Sequence, residues 1–471
     1  MTTPVPSLPG GCVVHTLAAF PDLTQLHAAH PQRYPHLLES VAQGTPQARY
    51  DILFAFPGDT LSLDADGRLH WPGPPVMGDF LSALDQVWRN AARDFAAAEP
   101  NALIPFSGGW LLYLGYELAH SIEPGITPPV PIDVHMPVAF ATRFPAAIIR
   151  DHACRCTYLV CENPAAGDLM PTLQADVLAC AQGPEPPLLD IHATLQEDPP
   201  QWYLQGIQRV LEYIRAGDVF QVNLSRAWHM ELARVYTPVD IYRRLRRANP
   251  APYAGLLTLA PERAIISSSP ERLVEVRAGR VRTRPIAGTS PRSIDPNQDR
   301  AWSHALLRHP KERAEHVMLV DLERNDIGRV CMPGSVQVSE FMVLESYTHV
   351  HHIVSGIEGR LRPGVTPGQV IRAVFPGGTI TGCPKVRTMQ IIAELEQTER
   401  GAYTGSMGYL NHDGDMDLNI LIRTLVQNHR HIRARAGGGI VADSDPQREL
   451  NETRAKAKGL LAAFTIDGPA R

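Results

Sequence analysis

The chain has 471 residues, 44% hydrophobic and 20% charged, with a formal net charge of -5. That length allows up to about three average domains or one large α/β unit, and the composition is that of a globular protein able to bury a sizeable core. The slightly acidic balance lacks the basic footprint of a nucleic-acid binder, and seven cysteines at scattered spacings form no disulfide framework, which suits a reducing cytoplasm.

The opening stretch, "MTTPVPSLPGGCVVHTLAAFPDL", has no basic n-region and no long apolar run, so neither a signal peptide nor a membrane span is expected. Residues 50–70 read as strands broken by a Pro-Gly and an Asp-Ala-Asp-Gly turn, and "FSGGWLLYLGYELA" and "AAIIRDHACRCTYLVCENP" continue a strand-rich first third. The cluster Cys154, Cys156 and Cys161 lacks a second cysteine pair or a histidine at finger spacing, and reads as strand thiols. Residues 183–201 are dense in proline, the composition of a connector between an N-terminal region, 1–182, and a second region, 202–468. Beyond it, "WYLQGIQRVLEYIRAGD" has helical spacing and ends near Gly217, "VFQVNLSRAWHMEL" reads as a strand, and "RLVEVRAGRVRTRPI" as a hairpin about Ala278-Gly279. That hairpin runs into "RPIAGTSPR", an apolar tight turn whose central side chain, Ala287, is one methyl group.

Polar clusters follow in the second region. In "HPKERAEHVMLVDLERNDIGRV", Pro310 can open a helix that sets Glu312 and Glu315 on one face, either as a solvated acidic face or to hold a cation. In "VADSDPQRELNETRAKAKG", Asp445 can cap and Pro446 open a second helix, with Glu449, Glu452 and Lys456 along one stripe. Two converging carboxylate pairs suit Mg2+, which takes oxygen ligands and is shared with an anionic substrate, and Lys456 can meet a substrate carboxylate. "FPGGTITGCPK", "AYTGSMGY" and "RAGGGIVADS" read as glycine-rich turns, plain or anion-binding, and none has the spacing of an ATP or NAD loop. "YTHVHHIVSG" carries His349, His351 and His352, "SSSPERL" sets Glu271 at a strand start where an acid can sit, and Arg423 lies in an apolar strand where its charge requires a partner.

In this order, the segments of residues 202–468 resemble the chorismate-utilising enzymes, with weaker echoes in "HLLESVAQGTPQARYDILFA" and "FSGGWLLYLGYEL". The resemblance implies an α+β fold: a large antiparallel β-sandwich core with helices packed outside and strands from both sequence halves. It assigns Mg2+ to Glu315 and Glu452, with Glu312 and Glu449 beside them. Gly288, Thr381, Tyr403, Arg423, Gly437, Gly438, Gly439 and Lys456 match substrate-holding positions. Glu271 matches the acid that protonates the departing 4-hydroxyl of chorismate, and His352 a histidine tied to the catalytic centre, which Gln221, Ala287 and Thr289 adjoin.

Gln221 stands where water-using relatives carry a lysine base, and an amide cannot deprotonate water, so ammonia is the expected nucleophile. Within the ammonia-using branch "QVNLS", "PGGTITGCPK", "GSMGY", "MDLNI" and "GGGIVADS" resemble aminodeoxychorismate synthase component I, whereas "PIAGT" resembles anthranilate synthase component I. Aminodeoxychorismate synthases place at position 287 a lysine thought to attack the substrate covalently, a route closed to Ala287. With no G-x-C-x-G nucleophile turn, the expected ammonia source is a separate glutamine amidotransferase subunit. Leu38, Glu39 and Ser40, with Pro252 and Tyr253, resemble the family's tryptophan pocket. A non-catalytic regulator that binds tryptophan or a partner is the alternative outside enzymes; the complete set of acidic positions argues against it.

Overall fold

The computed structural model describes residues 11–42, 48–92, 104–126, 129, 133, 135–184, 186–346 and 350–466. Among them, 13 strands form one sheet and 11 a second, and every strand pairing is antiparallel except that of 192–193 with 465–466. The α+β sandwich expected from the sequence is thus the architecture observed.

Strands buried on both faces need apolar residues at successive positions rather than alternate ones. Gly109–Leu114, "GWLLYL", shows why: Leu111 and Tyr113 point between the two sheets, while Trp110, Leu112 and Leu114 point to the helices covering the second sheet. Ala146–Asp151 does the same in the first sheet, with Ile149 facing inward and Ile148 facing the covering helices. The result is a four-layer stack, helix, sheet, sheet, helix, with three apolar seams.

Both sheets run across the boundary read from composition. His36–Glu39 pairs with Tyr253–Ala260 in one sheet, and Gly109–Leu114 pairs with Ser406–Asn411 in the other. The proline-dense stretch carries a strand, His192–Glu197, paired with Gln221–Leu232; prolines on either side obscured its short period-two pattern. Helix starts follow local chemistry. Pro310 opens the Pro310–Gly328 helix, and the Asp445 side chain accepts from the Arg448 N–H (2.8 Å) to cap Pro446–Leu461.

Three sequence readings change. The "PIAGT" segment is no tight turn but the strand Ile286–Pro291, bulged between Ala287 and Thr289 where it pairs with Val350–Arg360. Gly437, Gly438 and Gly439 are no turn either; they lie inside the strand His431–Ile440, opposite Ser225, Leu224 and Asn223. Arg423 sits outside any strand, at a corner between Met416–Asn419 and Thr424–Asn428 with φ 54°. In each case long-range pairing, which local spacing does not encode, sets the backbone.

Beneath this framework lies a buried ion cluster. Glu396 accepts from Arg400 (2.7 Å), Arg435 (2.8 Å) and both the backbone N–H and hydroxyl of Ser225 (2.8 Å each). Arg400 also donates to the Asn223 carbonyl (2.7 Å) and the Ile380 carbonyl (3.2 Å), tying a strand, a helix end and the 378–381 turn together. Removing the anion strands two buried guanidiniums, so Glu396→Ala is expected to cost about 3–5 kcal/mol, read as a lower urea midpoint at unchanged slope.

Candidate active site

Glu271 opens the Arg272–Arg277 strand directly after Pro270. Its N–H donates to Ser269 Oγ (3.2 Å) and its carbonyl accepts from the Ile420 N–H (3.0 Å), which fixes the backbone at the sheet edge. The side chain is 6% exposed and Oε1 has no hydrogen-bond partner. Burial pushes its carboxyl up to about 7, against the pull of the Lys456 and Arg423 cations. A carboxyl at that value is about half protonated at pH 7 and can give up its proton.

Arg423 stands in the middle of the expected residues. Burial pulls its pKa down while Tyr403, Glu452 and Glu271 act the other way, and its charge in turn helps hold His352 neutral. Among the described residues the guanidinium has neither an ion-pair nor a hydrogen-bond partner. The partner expected for a charge in an apolar strand is therefore not a side chain; the corner presents an unmatched cation, which an anionic ligand would complete. Burial lowers His352 to about 4, so its ring is neutral at physiological pH. Tyr403 is buried under the Arg400 guanidinium, 5.6 Å from the ring centre.

The two E-x-x-E helices come together over the glycine strand. Lys456 Nζ reaches Glu452 (2.8 Å) and donates to the Gly437 carbonyl (3.0 Å), and Glu449 accepts from the Ser444 hydroxyl (2.8 Å). A Cβ on Gly438 would lie 3.3 Å from Glu449 Oε2, 3.8 Å from Lys456 Nζ and 3.9 Å from Glu452 Oε1, so these three side chains converge on one spot. On the other side the Gln221 amide donates to Glu315 Oε1 (3.0 Å), and Glu312 Oε2 would be 3.0 Å from a Cβ on Gly288, which has φ 70°. Among the described residues no three histidine, cysteine, Asp or Glu side chains already form a metal-binding group. The gathered donors are nonetheless all carboxylate oxygens around a glycine cradle, a set that fits a hard cation sharing its shell with an anionic substrate.

Ala287 is 7% exposed in this wall, paired opposite Ile353. Thr289 pairs by its backbone with His352; its side chain, like all of His349, lies outside the described residues. Thr381 is fully buried and its hydroxyl donates to the Gly377 carbonyl (2.9 Å), locking the turn. The neighbouring Thr379 hydroxyl is the one that faces Glu271. Thr379 was not singled out from the sequence, although it sits in the glycine-rich "PGGTITG" run. Leu38, Glu39, Ser40, Pro252 and Tyr253 do meet, lining a separate cavity of about 290 Å³, where Ser40 donates to the Pro252 carbonyl (3.2 Å).

Arg423, with no ion-pair partner, Lys456 and buried Glu271 thus lie beside a carboxylate-lined glycine cradle. The sequence profile of chorismate binding enzymes matches residues 41–462, and the chain belongs to that family: it is a chorismate-utilising enzyme. It is 40% identical over 443 residues to anthranilate synthase component 1 of Thermus thermophilus, covering 91% of this chain and 92% of the relative. It is 36% identical over 433 residues to aminodeoxychorismate synthase component 1 of Klebsiella aerogenes, covering 91% and 93%. The solved anthranilate synthase component I of Streptococcus pneumoniae superposes with a TM-score of 0.76 at 32% identity, over 89% of this chain and 93% of that one. Among the described residues no helix is long and apolar enough to cross a membrane.

A Cβ on Gly439 would fall 2.0 Å from Gln221 Nε2, a clash that forces Gln221 off Glu315. Gly439→Ala is expected to cost about 1–3 kcal/mol in stability through overpacking and to cut chorismate turnover tenfold or more, measured by loss of chorismate absorbance.

Proposed function

We propose that the chain is component I of an aminodeoxychorismate synthase, converting chorismate plus ammonia to 4-amino-4-deoxychorismate on the route to 4-aminobenzoate and folate. Mg2+ is its cofactor, a separate cytosolic glutamine amidotransferase subunit supplies the ammonia, and the 290 Å³ cavity holds tryptophan as a structural ligand. The observation that carries the reading is Gln221: its amide is engaged by Glu315 and has no basic lone pair, so the site suits a nucleophile that needs no deprotonation. The blocks "QVNLS", "PGGTITGCPK", "GSMGY", "MDLNI" and "GGGIVADS" support C4 as the site of amination. Ala287 favours a second reading, anthranilate synthase component I, in which pyruvate is eliminated and an aromatic amine released.

In this mechanism Arg423 and Lys456 pair with the substrate carboxylates, and Tyr403 with the Gly437–Gly439 backbone borders the enolpyruvyl ether. Glu271 Oε delivers its proton to the 4-hydroxyl, so the oxygen departs as water. Glu315 and Glu452, with Glu312 and Glu449, would hold Mg2+, which when bound neutralises a substrate carboxylate. His352, kept neutral by burial, is in this reading the histidine tied to the catalytic centre. With only a methyl group at Ala287, ammonia itself adds to C2 as the C4–O bond breaks, and a second ammonia then adds to C4 as the C2–N bond breaks and the first ammonia leaves.

Purified protein given chorismate, Mg2+ and ammonium should release 4-amino-4-deoxychorismate with no covalent substrate adduct by mass spectrometry. Fluorescent anthranilate plus pyruvate would instead establish the second reading.

The acid form of Glu271 is present below about pH 7 and lost above it, so kcat/KM should fall on the alkaline side by about tenfold per unit. Glu271→Gln should lower kcat by about 10²–10⁴-fold and abolish that limb in a pH–rate profile.

A further inference from the structure

Glu271 gives away a proton in each cycle and has to regain one before the next, and it is only 6% exposed. A second buried carboxyl lies behind it. Glu323, on the Pro310–Gly328 helix, is 5% exposed, and no cation pairs with it directly. Four elements face it. Asp326 comes from its own helix, and Lys385, whose ammonium binds Asp326, from the Lys385–Glu396 helix. Thr283 comes from the Arg280–Thr283 strand, and Glu271 from the start of the preceding strand, Arg272–Arg277. The 378–380 turn closes the gap: Glu323 Oε1 would be 3.7 Å from a Cβ on Gly378, whose neighbour Thr379 faces Glu271. Arg329 adds charge near Asp326, as Lys456 and Arg423 do near Glu271.

The polar groups along this route are buried. Glu271 Oε1 and Asp326 Oδ1 have no hydrogen-bond partner, while the Thr379 hydroxyl faces the Glu271 carboxyl and the Thr283 hydroxyl faces the Glu323 carboxyl. Buried orphans normally number only a few per hundred residues, and each asks for a reason. A hydroxyl beside each carboxyl can accept a proton on one side and donate on the other. Burial also pushes the Glu323 carboxyl up to about 8, so it carries its proton at neutral pH.

We propose that Glu323 is the proton reservoir that recharges Glu271 after each turnover, passing its proton through the hydroxyls of Thr283 and Thr379. Breaking the C4–O bond takes one proton from Glu271 to the departing oxygen. Glu323 then donates to Glu271, and its carboxylate is reprotonated from the side of Lys385, whose side chain is 13% exposed and binds buried Asp326. Ammonia sheds the matching proton once its C–N bond has formed, so charge balances over the cycle. Glu323 acts through Glu271, and the inference rests on the acid role proposed above for that residue.

The test compares single-turnover with steady-state chorismate consumption in Glu323→Gln, which keeps shape and loses the transferable proton. The first turnover should stay within about twofold of the unsubstituted protein, while kcat drops about tenfold at unchanged KM and recovers with added imidazolium as an external acid. Thr283→Val should move kcat the same way and serves if Glu323→Gln fails to fold. Wild-type rates in both regimes would overturn the reservoir. Equal losses in both regimes without imidazolium rescue would reduce Glu323 to a packing residue and also overturn it. Anthranilate as product would overturn the product assignment alone, because both reactions protonate the same 4-hydroxyl.

Discussion

Everything at the site hangs on the antiparallel pairing of Gln221–Leu232 with His431–Ile440, ten residue pairs long from Val222↔Ile440 to Glu231↔His431. This ladder carries Gln221 at one end and the three glycines beside it. A Cβ at Gly437 or Gly439 would fall within 2.3 Å of the Leu224 carbonyl or 2.0 Å of the Gln221 amide, so the two strands and the Gln221 side chain fit only because those positions are bare. Glycine in a strand interior forfeits packing and backbone entropy, roughly 0.5–1 kcal/mol relative to Ala. Here the loss is offset by what the bare strand admits: the Pro446–Leu461 helix lies close enough for Lys456 to bond the Gly437 carbonyl.

The same ladder is clamped from behind by Glu396, Arg400 and Arg435, all nearly fully buried. Their cluster is balanced by close ion pairs and by hydrogen bonds to Ser225, Asn223 and Ile380. Arg423 has no such balance, since the positively charged corner faces acids without bonding one. A partly buried cation left unmatched costs the folded state free energy that an anionic ligand would offset. The burial that pulls the Arg423 pKa down also pushes that of the Glu271 carboxyl up.

Much of this was legible locally. Pro310, Asp445 and Pro446 mark helix starts by rules that involve a few neighbouring residues, and the spacing of Glu312 with Glu315 and of Glu449 with Glu452 then fixes which faces they share. The Ala278-Gly279 hairpin was equally local. What escaped depends on partners far away in sequence. A glycine run looks like a turn until Asn223, Leu224 and Ser225 lie opposite it. Arg423 looks like a strand residue until its left-handed backbone is seen, and Thr379 looks like loop polarity until Glu271 faces it. The helices Phe80–Ala92 and Ala166–Gln182 also escaped, the latter carrying Pro171 inside an otherwise helical run. Glu323 is the sharpest case, since a glutamate in "DLERND" reads as surface charge and only packing shows it enclosed.

Ala287 gains its meaning from the strand that replaces the expected turn. A tight turn would leave the direction of a side chain adjustable, whereas the pairing opposite Ile353 fixes it. The bulge at Gly288, immediately after, lets the backbone approach Glu312 on the facing helix, so the wall is held at a set distance from the carboxylates. A side chain at 287 therefore reaches the same place whatever its identity, and chemistry at that place depends on length and functional group alone. One methyl group leaves the acid, the cations and the glycine ladder untouched. The surroundings of that place are then set by its neighbours, Glu271 bonded to the Ile286 backbone and His352 paired with Thr289, rather than by the wall itself.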